Sequence, residues 1–340
     1  MTNQTRAAQP WRNRFEIAIL LTCLPGLLAA IAGCRPAAEP GSRGPGDRLS
    51  TPDGVIGLSV LTSDNPFFDE LADGLREAAA EYNYDVIVTA GQQKPLLQDQ
   101  QVDDFITKQV HAIVLCPCDS RAVGATIEKA NRAGIPVFTA DIASMADTGE
   151  VVCHVATDNR GGGEAAAEAV IEMLGGRGNV AVLNHPRIES AILREEGFKG
   201  RIEDAPEIKV ATTLPGGGER KMSFDSAKDA LQTHPDLDGF FCINDPSALG
   251  AIRAIQELKK TDQIKVVGFD AQPEARRAVK DGALYATIVQ YPREIGRKTA
   301  EVIHEHLLGK EVEPEILIPV TIYRKSDADA DPELQGRRAE

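Results

Sequence analysis

From Val55 to Tyr323 one rhythm runs through the chain: a short apolar run, a polar turn, then a segment with apolar residues every three or four positions. This rhythm limits the fold more than any single motif does. Strands that alternate with amphipathic helices pair in parallel, with helices covering both faces of the sheet. The first unit shows the pattern. Val55–Leu61 reads as a strand, Asn65 as a helix cap and Pro66 as the first helical residue. Phe68, Leu71, Leu75, Ala78 and Tyr82 then form one buried helical face. Further strands are predicted at Val86–Thr89, Ala112–Leu115, Pro136–Ala140, Val151–Ala156, Val180–Leu183, near Val210, at Phe240–Ile243, Lys265–Phe269, Thr287–Val289 and within Ile316–Tyr323. The helix after Ala112–Leu115 is expected over Arg121–Arg132. Ten or so strands are many for one sheet, and 340 residues suit two domains. The predicted fold class is therefore α/β, with two doubly wound parallel-sheet domains.

The first 33 residues read differently. Arg6, Arg12 and Arg14 precede an apolar run from Ile17 to Ala32, interrupted by Pro25-Gly26. A basic start, a short apolar core and small residues before a cleavage point make a signal peptide. Ile31-Ala32-Gly33-Cys34 resembles the bacterial lipobox, which makes Cys34 the expected lipidation site. The alternative is an uncleaved membrane helix, which Pro25-Gly26 weakens. Residues 34–52 are rich in Pro and Gly and are expected to be a flexible tether. At the other end, Ser326–Glu340 is polar and expected to fray.

The formal net charge of −14 repels nucleic acid and anionic lipid surfaces, so nucleic acid is not an expected partner. Contact with a membrane is expected only through lipid on Cys34, and the cell envelope or periplasm is the expected location.

Ligands of open α/β sheets bind outside the carboxyl ends of the strands. The residues just past those ends are Asn65, Phe67 and Phe68, then Asp141, Asn244, Asp270 and Gln290. Carbohydrate recognition uses such a set. Carboxylates accept from neighbouring hydroxyls, amides both donate and accept, and an aromatic face covers the C–H side of a sugar ring. Taken singly, Asp or Asn at a strand end is as readily a helix cap, and Phe67 and Phe68 at a helix start are more often core than ligand platform. Their recurrence at five strand ends, split between both halves, favours a ligand cleft.

The same segments resemble the ribose-binding type of periplasmic binding protein. They are Asp64-Asn65-Pro66-Phe67-Phe68, Ala133-Gly134-Ile135-Pro136-Val137 with Asp141, Thr157-Asp158-Asn159, Glu196-Gly197-Phe198, Phe241 to Asp245, Val267-Gly268-Phe269-Asp270, and Ala286-Thr287-Ile288 with Gln290. The resemblance implies a type I arrangement, in which two domains joined by a three-crossing hinge close on a small sugar or polyol. It implies an N-terminal domain of 53–157 plus 291–319, a C-terminal domain of 158–290 plus 320–326, and a polar tail over 327–340. It carries ligand contact onto Asn65, Phe67, Phe68, Asp141, Asn244, Asp270 and Gln290. It also implies a monomer without cofactor or catalytic residues that delivers solute to an ABC permease in the inner membrane. The alternative role is a receptor subunit that reports occupancy to a sensor kinase or chemoreceptor. A transcription regulator shares this body, but no helix-turn-helix precedes Val55. A carbohydrate-active enzyme would need a tuned acid, and no residue stands out as one.

Departures from the ribose pattern fall in the same places. Ile142 stands where an Arg follows the Asp141 position, and Ile192 stands at the place expected for a second Arg. Cys116 replaces an Asn, Gly218 falls near a third aromatic, and Leu61 replaces a polar residue. Loss of two guanidiniums argues against ribose held in the ribose manner. His185, Arg187 and Glu189, in a loop after a strand, are candidate replacement donors or acceptors.

Cys116, Cys118, Cys153 and Cys242 lack the paired spacing of common zinc sites, and buried thiols are expected in place of a metal centre. Gly161-Gly162-Gly163 has neither the dinucleotide nor the phosphate-loop pattern and is read as turn and packing geometry.

Overall fold

The computed structural model describes residues 53–335. The signal-peptide, lipidation and tether readings on residues 1–52 lie outside the described residues, as do the last five of the polar tail.

The first half runs β1 (Gly54–Val60), α1 (Pro66–Glu81), β2 (Tyr84–Ala90), α2 (Pro95–Thr107), β3 (Ala112–Leu115), α3 (Gly124–Arg132), β4 (Val137–Ala140) and β5 (His154–Thr157). It continues through α4 (Asn159–Leu174), β6 (Gly178–Asn184), α5 (Glu189–Ile202), β7 (Ile208–Pro215), α6 (Arg220–Thr233), β8 (Gly239–Cys242), α7 (Asp245–Glu257), β9 (Lys265–Asp270), α8 (Pro273–Asp281) and β10 (Ala286–Val289). The chain ends with α9 (Pro292–Leu307), β11 (Glu315–Ile318), β12 (Thr321–Tyr323), α10 (Lys325–Ala330) and α11 (Pro332–Gln335).

Two six-stranded sheets result, ordered β11-β5-β4-β3-β1-β2 and β12-β10-β9-β8-β6-β7. Every pairing is parallel except that of β10 with β12. The central strands read as unbroken apolar runs because helices cover both faces; β3, β4 and β8 are buried throughout. The chain passes between the sheets three times: after β5, between β10 and β11, and between β11 and β12. All three passages lie at one edge of both sheets, opposite β2 and β7.

Each lobe is tightened by a pair of helices at close approach. A Cβ added to Gly74 of α1 would lie 2.2 Å from the Arg293 carbonyl oxygen of α9, and one on Gly296 would lie 2.1 Å from that of Leu71. In the second lobe, Gly163 of α4 and Gly197 of α5 meet the backbones of Arg194 and Arg160 in the same way, each at 2.1 Å. Gly163, read from sequence as packing geometry, has that role here.

Two expectations are corrected. The segment after Ser326 does not fray at once. α10 and α11 bury Ala328 and Leu334, and Arg276 of α8 pairs with Asp331 at 3.1 Å. α3 starts at Gly124, later than Arg121, because the Asp119 carboxylate accepts from the amides of Arg121 and Ala122 and holds a turn there.

Candidate functional site

The C-terminal ends of β1 and β4 in one lobe face those of β6, β8, β9 and β10 in the other. Between them lies a cavity of about 50 Å³. All seven residues singled out from the sequence line it: Asn65, Phe67, Phe68, Asp141, Asn244, Asp270 and Gln290.

Local structure places each one. The Asn65 side-chain oxygen caps α1 by accepting from the Phe67 amide at 3.0 Å, and it also accepts from the Gln272 side chain of the opposite lobe. Phe67 and Phe68 are buried with their rings edge-on, 5.3 Å apart. Asn244 caps α7 through the Ser247 amide and donates to the Gly218 carbonyl at 3.2 Å. Gln290 accepts from Thr157 at 2.7 Å and donates to Asp270 at 2.6 Å, joining the end of β10 to the first crossing. Asp141 and Asp270 have positive φ, 63° and 116°. Such backbone is costly for non-glycine residues and turns both carboxylates off their strands into the cleft.

The electrostatics follow from burial. Desolvation pushes the Asp141 carboxyl up to about 7, against the pull of Arg194. Asp270 is raised by the same cause to about 6, again opposed by Arg194. Burial also pushes Asp245, which lies beside Asp270 and is hydrogen-bonded to Thr287 at 2.7 Å, well above the usual carboxylate range. One carboxylate oxygen of Asp141, Oδ1, has no hydrogen-bond partner, and neither has either ring nitrogen of His185. Buried polar groups are ordinarily satisfied, and these atoms at the cavity wall are exceptions.

The expected loss of both guanidiniums is corrected. Arg194 lines the cavity, fully buried. It donates to Asn159 at 2.8 Å and to the Ile243 carbonyl at 2.8 Å, and stacks 3.9 Å over the Phe269 ring. Ile192, two positions earlier, does not line the cavity, because two residues along a helix point to nearly opposite sides. The sequence carried a usable signal. Ala191, Arg194 and Phe198 fall at helical spacing on the buried face of α5.

Of the other departures, Ile142, Leu61 and Gly218 line the cavity, whereas Cys116 is buried away from it. His185 lines the cavity, but Arg187 and Glu189 do not. Those two join the lobes instead: the Ser120 amide donates to the Arg187 carbonyl at 3.0 Å, and the Glu189 amide donates to the Ser120 hydroxyl at 3.0 Å. At the far lip Gln93 donates to Glu219 across the cleft at 2.7 Å. Cys116, Cys118, Cys153 and Cys242 are unpaired and buried, and among the described residues no group of His, Cys, Asp and Glu could hold a metal.

A family model described as a periplasmic binding protein domain matches residues 56–311. The ribose import binding protein of Salmonella typhimurium is 36% identical over 272 residues, 80% of this chain and 90% of the relative. The D-apiose import binding protein of Actinobacillus succinogenes is 31% identical over 239 residues, 70% of this chain and 76% of the relative. A solved ABC transporter solute binding protein from Agrobacterium vitis, bound with alpha-D-tagatopyranose, superposes with a TM-score of 0.78 at 28% identity, covering 83% of this chain and 97% of its own. With a family match from the first strand to just past α9, and a two-lobed fold that agrees with it, the chain belongs to the periplasmic binding protein family, in its ribose-binding branch.

Proposed function

We propose that the chain is the solute-binding component of an ABC-type uptake system and that it captures a monosaccharide or related polyol between its lobes. The observation that carries this reading is the cavity wall. Strand-end carboxylates, amides and one guanidinium from both lobes converge with the Phe67–Phe68 pair, and Asp141 Oδ1 is left unpaired among them. A polyol has the complementary chemistry, with many donors and acceptors around a C–H face. Scattered carboxylates alone do not make a hydrolase, and the chain acts as a binder, not an enzyme.

Solute enters when the bonds between the lobes break, and it favours closure because its contacts to both walls exist together only in the closed form. A closed body, tethered at the cell envelope by lipid on Cys34 as a monomer, then presents both lobes to a permease in the inner membrane.

A thermal-shift screen of the full chain in mild detergent, against pentoses, hexoses, polyols and furanose derivatives, tests the reading. A ligand that binds only the folded state raises the melting temperature by mass action. A rise with one sugar class is the expected result. No rise with any of them, in a sample stripped of co-purified solute, removes the sugar assignment.

A further inference from the structure

One corner of the cavity is not explained by the seven strand-end residues. His185 follows β6, is 5% exposed, and has no hydrogen-bond partner at either ring nitrogen. Facing it are Gly217 and Gly218, with φ of 60° and 69°, in the turn after β7. A Cβ on Gly218 would lie 3.2 Å from the Asn244 amide nitrogen and 3.5 Å from the His185 ring. A side chain at 218 would therefore crowd both, and glycine keeps clear the corner of the cavity that His185, Asn244, Gly217 and Gly218 line, near the place where the ribose pattern leads one to expect an aromatic ring. The neighbouring wall is apolar, formed by Ile142, Ile188 and Ala191. His185 is thus an unpaired polar side chain at the edge of a space that no protein group fills. Burial, reinforced by nearby Arg187, lowers its pKa to about 4. The neutral ring offers one donor and one acceptor, which matches a hydroxyl.

Resting on the function proposed above, we propose that His185 and the bare backbone of Gly217–Gly218 form a subsite for an exocyclic hydroxymethyl group. The solute is then a hexose-sized sugar, with His185 as its specificity-determining contact. Asp141, Asp270, Asn65, Gln290 and Arg194, which also line the cavity, remain for the ring hydroxyls.

Calorimetric titration of the full chain in mild detergent with matched sugar triads tests this. Each triad is a pentopyranose, the homologue carrying a methyl group on the ring (a 6-deoxyhexose) and the homologue carrying a hydroxymethyl group (the hexose). The xylo, ribo, arabino and lyxo series cover the ring stereochemistries. In the series bound best, the hexose should bind at least about tenfold more tightly than either homologue, as one satisfied hydrogen bond predicts. His185→Leu should erase the advantage over the 6-deoxy sugar and leave the affinity for the 6-deoxy sugar within about threefold of the parent. A pentose or 6-deoxy sugar that binds the parent as tightly as the hexose overturns the subsite, even if the variant does not fold. Equal loss of all three ligands in a folded His185→Leu overturns the role of His185. If no triad binds the parent, the sugar reading itself fails, and the subsite with it.

Discussion

Arg194 lies 3.6 Å from Asp270 with both side chains almost wholly sealed from water. The pair makes the second lobe's wall a charged one. It also ties the cavity wall to the fold, since the same guanidinium holds Asn159 and the end of β8. Arg194→Ala leaves Asp270 buried without its countercharge and should cost roughly 3–5 kcal/mol in urea unfolding, with ligand binding lost. Arg194→Lys should restore little, because an ammonium cannot stack on Phe269 while reaching both acceptors. Full rescue by lysine would show that only the charge matters.

Asp141 sets a pH dependence with a definite sign. In the unfolded chain its carboxyl titrates near 3.9, and in the fold burial moves it to about 7. Between those values the folded form keeps a proton that the unfolded form has lost. The contribution of this group to stability is therefore present in acid and lost as pH rises through about 7. Asp141→Asn should gain on the order of 1–3 kcal/mol over the parent at pH 8 without ligand, and little near pH 4. His154 and His185, both lowered to about 4 by burial, act in the opposite direction over part of the same window, but they are common to both proteins and drop out of the difference. Urea unfolding at several pH values measures it; a difference independent of pH would mean that Asp141 is not buried as a carboxyl.

The Gln93–Glu219 bond spans the lip of the cleft, and of the two residues only Gln93 lines the cavity. Glu219→Ala should weaken ligand binding about two- to tenfold, chiefly through faster release, by destabilising only the closed form. Stopped-flow release kinetics would separate this from a loss of ligand contacts. An unchanged release rate would mean that the lip bond plays no part in closure.

Gly74 and Gly296 allow α1 and α9 to touch backbone to backbone. Gly74→Ala must push the helices apart or strain them, and should destabilise the first lobe by about 1–3 kcal/mol. Chemical denaturation with and without ligand should show the loss while affinity changes little, since neither residue lines the cavity.

Much of this was legible in the sequence, because periodicity and strand-end position are local properties. Asp141, Asn244, Asp270 and Gln290 each follow an apolar run directly and Asn65 follows one after a short polar turn, and a fold that gathers strand ends gathers them too. Arg194 was not found, because it sits in the body of a helix. Which face of α5 turns inward is decided by the close packing of Gly197 on α4, a contact between distant segments. The order at α10 was hidden for a similar reason: Lys325–Ala330 is polar, and its place against α8 depends on Arg276, Asp331 and a single buried alanine.

The three crossings at one edge of the sheets make the molecule a lever with its pivot at Thr157 and Gln290. Displacement during opening grows with distance from that pivot, so the strands at the other edge, β2 and β7, sweep the longest arc. Gln93 and Glu219, just beyond those strands, ride at the tip, whereas the Thr157–Gln290 bond turns almost in place. A pair of spectroscopic labels near residues 93 and 219 would therefore report occupancy with the largest change in separation. The same pair near 157 and 290 would stay nearly silent.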